Sequence, residues 1–103
     1  MNIRILKLVT GEEVIGEVVN DGGKLITIKN PVLVAMMRGK DGMPNVGFAP
    51  FPAYAEDSKD KTIDFRLEHV VYSYVPAEDF RKNYDSIFGL GLVLPGDKKI
   101  ITG

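Results

Sequence analysis

The chain has 103 residues, enough for one domain with a single hydrophobic core but not for two. Thirteen basic and fourteen acidic residues give a formal net charge of −1, which argues against a general nucleic-acid binder with a basic excess. The sequence contains no cysteine, which excludes disulfides, a thiol nucleophile and cysteine-ligated metals.

Residues 6–31 hold three short β-type segments separated by two turns. In the first two segments, apolar residues alternate with residues that point to the opposite face, as in a half-buried strand. The third segment is rich in residues that favour strands. The apolar positions are Leu6, Leu8, Val14, Val18, Leu25, Ile26 and Ile28, and the turns are Thr10-Gly11 and Asp21-Gly22-Gly23. Glycine provides the backbone freedom that tight reversals need. The pattern predicts two successive hairpins.

Gly16 lies in the middle of the second predicted strand, where a glycine costs entropy and packs nothing. A sharply bent strand or a close approach of another backbone accounts for such a residue. Both features are typical of a small, strongly curved β-barrel.

The middle of the chain, residues 39–61, reads as an insertion between two β-rich parts. It begins with a glycine-rich loop, and its aromatic segment Val46–Ala55 is interrupted by Pro50 and Pro52. Because proline cannot donate to a β-ladder, this segment is predicted to be an edge strand or an extended arm. Residues 55–61 are predicted to form a charged loop, and the alternation of residues 62–67 predicts another strand.

After Val75 the hydrophobic period changes from that of a strand to that of a helix. The apolar stripe consists of Ala77, Phe80, Tyr84, Ile87 and Phe88. The spacing predicts a helix near residues 77–88, with Gly89 as its C-terminal cap. Residues 90–95 are predicted to form a short strand or arm.

Two stretches, in this order, match the pattern of a known family. The first comprises Leu8-Val9-x-Gly11, Val14-Ile15, Gly16-x-Val18 and Ile28-Lys29-Asn30. The second runs from Leu67 to Pro76, where a histidine leads into a terminal strand closed by Val75-Pro76. These stretches resemble the two Sm motifs, so the chain is similar to the Sm-like family, which includes the bacterial Hfq-type RNA chaperones. It also looks similar to compact Sm-like proteins of bacteriophages.

The resemblance implies a single-stranded RNA site on the loops that face the pore of a ring, with contributions from Lys24, His69, Gly23 and Glu68. The chain departs from the family's pattern at two of these positions. Glu68 repels phosphate, and Gly23 has no side chain that could stack on a base or donate a hydrogen bond. His69, the only histidine, can also be interpreted as a partly buried residue that hydrogen-bonds a backbone group, and we prefer this interpretation.

The last predicted strand has Tyr72 and Tyr74 on one face, and its other face, with Val71, Ser73 and Val75, is mostly aliphatic. A strand of this kind is covered on both faces, and a neighbouring subunit is the expected cover. The resemblance implies a ring in which the fourth and fifth strands pair head to tail between subunits. The predicted interface residues are Ile63, Phe65, Leu67, Val71, Tyr72 and Tyr74.

The sequence therefore predicts an all-β, five-stranded, strongly bent antiparallel Sm-like barrel with an added C-terminal helix. The barrel core is assigned to residues 3–38 and 62–75, the insertion to 39–61, and the helix and tail to 76–103. The expected function is a homo-oligomeric ring that binds single-stranded RNA weakly; the alternative is a structural or adaptor ring that acts through protein contacts without RNA. Neither catalysis, nor a cofactor, nor a metal site is predicted.

The longest apolar run, residues 31–37, is too short to cross a bilayer, and the first residues lack the apolar core of a signal peptide. These observations predict no membrane partner and a cytoplasmic location, in the host cytoplasm if the protein is phage-encoded.

Overall fold

The structure, a computed structural model, describes residues 2–38, 41–42, 44–54 and 61–88. Its elements, in chain order, are β1 (Ile3–Leu8), β2 (Glu13–Asn20), β3 (Leu25–Arg38), β4 (Pro44–Pro50), β5 (Thr62–Arg66), a 3₁₀ turn (Leu67–His69), β6 (Val70–Tyr74) and α1 (Glu78–Phe88). The predicted class, an antiparallel β-sheet with a C-terminal helix, is confirmed. The strand count is six rather than five, because β4 forms inside the predicted insertion.

All strand pairings are antiparallel, in the order β4-β3-β2-β1-β6 with β5 beside β3. β3 is long enough for two strands to share its second edge, β5 beside residues 25–29 and β4 beside residues 32–38. Residues 46–50 of the segment predicted to be an edge strand or an arm are therefore part of an edge strand. Residues 51–54 are not in the strand, and residue 55 lies outside the described residues. Within the described residues β5 and β6 do not pair with each other, so the sheet stays open between them.

A β-bulge divides β3 into its two halves. Between Ile15 and Glu17 the register advances two residues in β2 but three in β3, so Asn30 and Pro31 lie opposite Gly16. Asn30 adopts a positive φ of 53°. A Cβ atom on Gly16 would overlap the Ile28 side chain and lie 3.1 Å from the Lys29 carbonyl oxygen. The close backbone approach expected at Gly16 is confirmed.

The sheet has two faces, and each holds its own hydrophobic cluster. The inner face is the side on which Leu6, Leu8, Val14, Ile26, Ile28 and Phe65 pack. The helix face is the side on which Ile3, Ile5, Ile15, Val32 and Tyr84 pack, so α1 covers part of it. Because neighbouring residues of β1 and β2 supply opposite clusters, the sheet is apolar on both sides over these strands.

The helix is attached through aromatic contacts on its buried face. Tyr84 is completely buried, and its ring lies 5.0 Å from that of Phe88, centroid to centroid. Phe80 meets Phe48 of β4 edge to face at 5.1 Å. Of the helical stripe expected from the sequence, Phe80, Tyr84 and Phe88 form the packed face of α1. Ala77 precedes the helix, and Ile87 is exposed. The predicted cap at Gly89 and the strand or arm at residues 90–95 lie outside the described residues.

Candidate functional site

Two turns that are distant in sequence meet at one end of the sheet. Leu25, the first residue of β3, pairs with Arg66, the last residue of β5. This register places the β2–β3 turn at Gly23 and Lys24 beside the 3₁₀ turn, and the Leu67 amide donates a 2.8 Å hydrogen bond to the Lys24 carbonyl oxygen. Gly23 has a φ of 72°, which a residue with a side chain rarely adopts.

An open cleft of about 710 Å³ lies between these turns. It is lined by Gly23, Lys24, Leu25, Arg66, Leu67 and Glu68. Three of the four residues assigned to RNA binding from the sequence are therefore brought together. Leu25 and Arg66 were missed, and Leu67 was assigned to the subunit interface. Their place in the cleft follows from the β3–β5 register, which local patterns do not contain.

The cleft has an apolar floor and a mixed charged rim. Leu25 and Leu67 expose 43% and 47% of their surface, so neither side chain is buried in the hydrophobic core. At the rim, the Arg66 Nε atom lies 3.2 Å from Glu68 Oε1, while Lys24 is exposed. Because both partners of this ion pair are mostly solvated, it is weak and screened by salt. The rim thus combines the cations Lys24 and Arg66 with one carboxylate.

The structure corrects the preferred interpretation of His69. The residue is exposed rather than partly buried, and its ring lies outside the described lining of the cleft. Its backbone has a structural role, because the His69 carbonyl oxygen accepts a 2.8 Å hydrogen bond from the Val9 amide. This bond connects the 3₁₀ turn to the β1–β2 hairpin.

The interface residues predicted from the sequence divide into two groups. Phe65 is buried in the inner cluster, where its ring stacks on Phe51 at 5.9 Å, and Ile63 packs against the same cluster. Their side chains belong mainly to the hydrophobic core of the single chain. Leu67, Val71, Tyr72 and Tyr74 are exposed instead.

The exposed tyrosines of β6 form a pair on the helix face. Their ring centroids lie 5.9 Å apart, and the Tyr74 hydroxyl donates a 2.6 Å hydrogen bond to the Glu13 carboxylate. Partial burial, followed by the hydrogen bond and the negative charge of Glu13, raises the pKa of Tyr74 to about 12. The hydrogen bond to Glu13 positions the Tyr74 ring beside that of Tyr72.

Among the described residues, no group of three or more histidine, aspartate or glutamate side chains lies close enough together to hold a metal ion. No described helix has both the length and the apolar character that crossing a membrane requires.

Comparison with known proteins assigns the chain to no family. No family model matches the sequence, and no curated protein matches it either.

Proposed function

We propose that this chain is an Sm-like subunit that assembles into a homo-oligomeric ring and binds single-stranded RNA weakly at the cleft between Lys24 and Arg66. One observation carries the proposal. The two turns that the resemblance implies as RNA-contacting loops lie side by side and line one open cleft with two cations.

The ring is supported by the unpaired edges of the sheet. β5 pairs only with β3, and β6 pairs only with β1, so each has a free edge among the described residues. Val71, Tyr72 and Tyr74 on the β6 edge are more than one-third exposed. A free apolar edge is an aggregation hazard unless another strand covers it. Because the two free edges differ, their pairing is heterologous, and such contacts close into rings when the rotation allows.

Weak RNA binding follows from the composition of the cleft. Lys24 and Arg66 supply positive charge for phosphates, and the exposed surfaces of Leu25 and Leu67 offer an apolar platform for a base. Two cations displace few counterions from the RNA on binding, so their contribution to affinity is small. Arg66 is moreover already paired with Glu68. We expect binding that is detectable at low salt and largely lost at physiological salt.

The Arg66–Glu68 pair also favours a second candidate function. With one cation neutralised and a net charge of −1, the ring would act as a structural adaptor through protein contacts, without RNA. In that case the apolar floor of the cleft, Leu25 and Leu67, would contact a protein segment.

Two measurements on the wild-type protein separate these functions. Light scattering coupled to size exclusion gives the subunit number, and a monomer at micromolar concentration contradicts both functions. Fluorescence anisotropy with a labelled, unstructured RNA then follows binding at low and at physiological salt. A dissociation constant that rises with salt supports the RNA function. A ring without RNA binding at low salt leaves the adaptor function.

A further inference from the structure

A second pocket lies beside the start of α1, away from the cleft between Lys24 and Arg66. It has a volume of about 330 Å³, and none of its described lining residues lines the cleft. Its walls come from β1, β2, β3, β4 and β6 and from the start of α1, so the pocket is bounded on several sides. Concave sites of this size and shape hold small molecules.

The lining of this pocket is mostly apolar and incompletely covered. Ile5 is buried, and Val34 and Phe80 are half-buried. Met36 and Val46 pair with each other across β3 and β4, yet they expose 75% and 51% of their surface. Apolar surface left open in this way favours the binding of a ligand whose apolar part covers it.

One carboxylate interrupts the apolar lining. Glu13 is the single charged residue among the described residues that line the pocket, and it is half-buried. Its Oε2 atom accepts the 2.6 Å hydrogen bond from the Tyr74 hydroxyl, which also lines the pocket. A carboxylate can accept about four hydrogen bonds, so this single donor orients Glu13 and leaves it able to accept others.

The charged groups around the pocket leave the charge of Glu13 in place. Lys7 lies opposite Glu13 in the register of β1 and β2, but its Nζ atom donates a 3.0 Å hydrogen bond to the carbonyl oxygen of Gly11 in the turn. Among the described residues, no lysine or arginine forms an ion pair with Glu13. The first turn of α1 carries Glu78 and Asp79, which offset the positive end of the helix. The pocket therefore attracts positive groups.

We propose that this pocket binds a small organic cation, an amine whose ammonium group donates to the Glu13 carboxylate and whose apolar body packs on Ile5, Val34 and Phe80. Tyr74 holds the carboxylate in the orientation that receives the ammonium group. Phosphate is repelled by the same carboxylate, so the ligand class differs from that of the cleft. The site shares no described lining residue with the cleft and does not depend on RNA binding there.

A titration of the isotope-labelled wild-type protein with phenethylamine, monitored by NMR, tests this proposal. Phenethyl alcohol has nearly the same shape without the charge and is the matched ligand. We expect the amine to shift the amide signals of Glu13, Val46 and Ala77 and to bind about tenfold more tightly than the alcohol, as a charge-assisted hydrogen bond provides.

Three outcomes of this titration would overturn the proposal. Equal affinities for the amine and the alcohol would show that the charge of Glu13 does not select the ligand. Shifts confined to residues outside the pocket would place the site elsewhere. An absence of shifts up to about 10 mM amine would exclude the site, since a ligand of this size binds a matching pocket with a dissociation constant of about 1 mM.

Two pairs of variants assign the binding to the pocket. Glu13→Gln keeps the size of the side chain and should abolish the preference for the amine over the alcohol. Glu12→Gln is the matched control, because Glu12 is exposed and lies outside the lining. A preference that survives in Glu13→Gln, or that both variants lose equally, would overturn the role of Glu13.

The second pair changes the space in the pocket instead of its charge. Ala77 is exposed and lines the pocket, so Ala77→Trp should fill part of it and weaken the binding of both ligands about tenfold or more. Ala53→Trp adds the same side chain at an exposed position outside the lining and should weaken neither. Equal affinities in the two tryptophan variants would overturn the location.

A lysine side chain of another protein would carry the same ammonium group. Nα-acetyl-lysine methylamide presents this side chain with its backbone, and we expect it to bind more weakly than phenethylamine because it offers less apolar surface for burial. Tighter binding of the lysine derivative would overturn the assignment to a small free amine and would indicate a protein segment as the ligand.

Discussion

The hydroxyl of Tyr84 donates a 2.7 Å hydrogen bond to the carbonyl oxygen of Asn30, the residue with positive φ in the bulge of β3. The same hydroxyl lies 3.3 Å from the Lys29 carbonyl oxygen. A bulge leaves backbone groups without ladder partners, and a buried carbonyl without a partner is costly. The C-terminal helix therefore satisfies the backbone at the point where the central strand bends.

The contribution of this hydrogen bond can be measured with Tyr84→Phe, which keeps the ring and removes only the hydroxyl. We expect a loss of about 1–2 kcal/mol in the free energy of unfolding, because the Asn30 carbonyl stays buried without its partner. Urea denaturation, monitored by circular dichroism, measures this loss of stability. A variant as stable as the wild type would show that water replaces the hydroxyl at the bulge.

Stability is expected to fall at alkaline pH through Tyr84. Complete burial, with the nearby charges of Glu17 and Asp85, raises its pKa well above the usual value of about 10. A raised pKa in the folded state stabilises the fold fully below the unfolded value, and this contribution is lost as pH rises toward the folded value. Above about pH 10 the free energy of unfolding should decrease by up to about 1.4 kcal/mol per pH unit.

Urea titrations at several alkaline pH values test this dependence in the wild type and in Tyr84→Phe. In Tyr84→Phe the free energy of unfolding should decrease less steeply with pH, since the variant lacks the ionising hydroxyl. Tyr54→Phe removes a phenol that is fully exposed and should behave as the wild type does. Identical slopes in all three proteins would contradict the assignment to Tyr84.

Gly16→Ala is expected to destabilise the protein by about 1–3 kcal/mol, as overpacking of a closed core does. The added methyl would overlap the Ile28 side chain and press against the backbone of Lys29 and Pro31. Gly22→Ala is the matched control, because the nearest atom to its Cβ would be Asn20 Oδ1 at 3.6 Å. We expect the control to stay within about 0.5 kcal/mol of the wild type in thermal unfolding.

Val71→Lys is expected to prevent assembly of the proposed ring while the single chain remains folded. Val71 is 58% exposed in the single subunit, so a lysine is tolerated there, but strand pairing at the β6 edge would bury its charge without a partner. Val19→Lys, at an exposed position of the interior strand β2, controls for the added charge. Light scattering should give a monomer for Val71→Lys alone, and an intact ring in both variants would locate the interface elsewhere.

Substitutions in the cleft should change RNA affinity in opposite directions. At the proposed RNA site, Lys24→Ala would remove a phosphate contact, so affinity should fall and the slope of log K against log salt should become shallower by about 0.7. Glu68→Lys replaces a repelling carboxylate with a cation and should raise affinity. Glu12→Lys makes the same change in net charge at an exposed position outside the cleft lining. An equal gain in both charge variants would mean that net charge, rather than the cleft, controls binding.

Local patterns in the sequence determined the secondary structure. Period-two alternation located the strands around Leu6 and Val14, and the change to helical spacing after Val75 located α1, because these periods follow from backbone geometry alone. Gly16 also predicted a close backbone approach, since a glycine inside a strand weakens it unless a bend or a neighbouring backbone needs the space. The local sequence did not contain the register that places Asn30 and Pro31 opposite it.

Only the tertiary structure decided which residues share a site. Lys24 and Arg66 lie on one cleft because β5 pairs with the first half of β3, a contact between segments about forty residues apart that no local period encodes. The same pairing turns Phe65 into the core, whereas Tyr72 on β6, the next strand along the chain, remains exposed. Alternation predicts that a strand has two faces, but only the packing of the whole chain decides which face is buried in the core and which remains exposed.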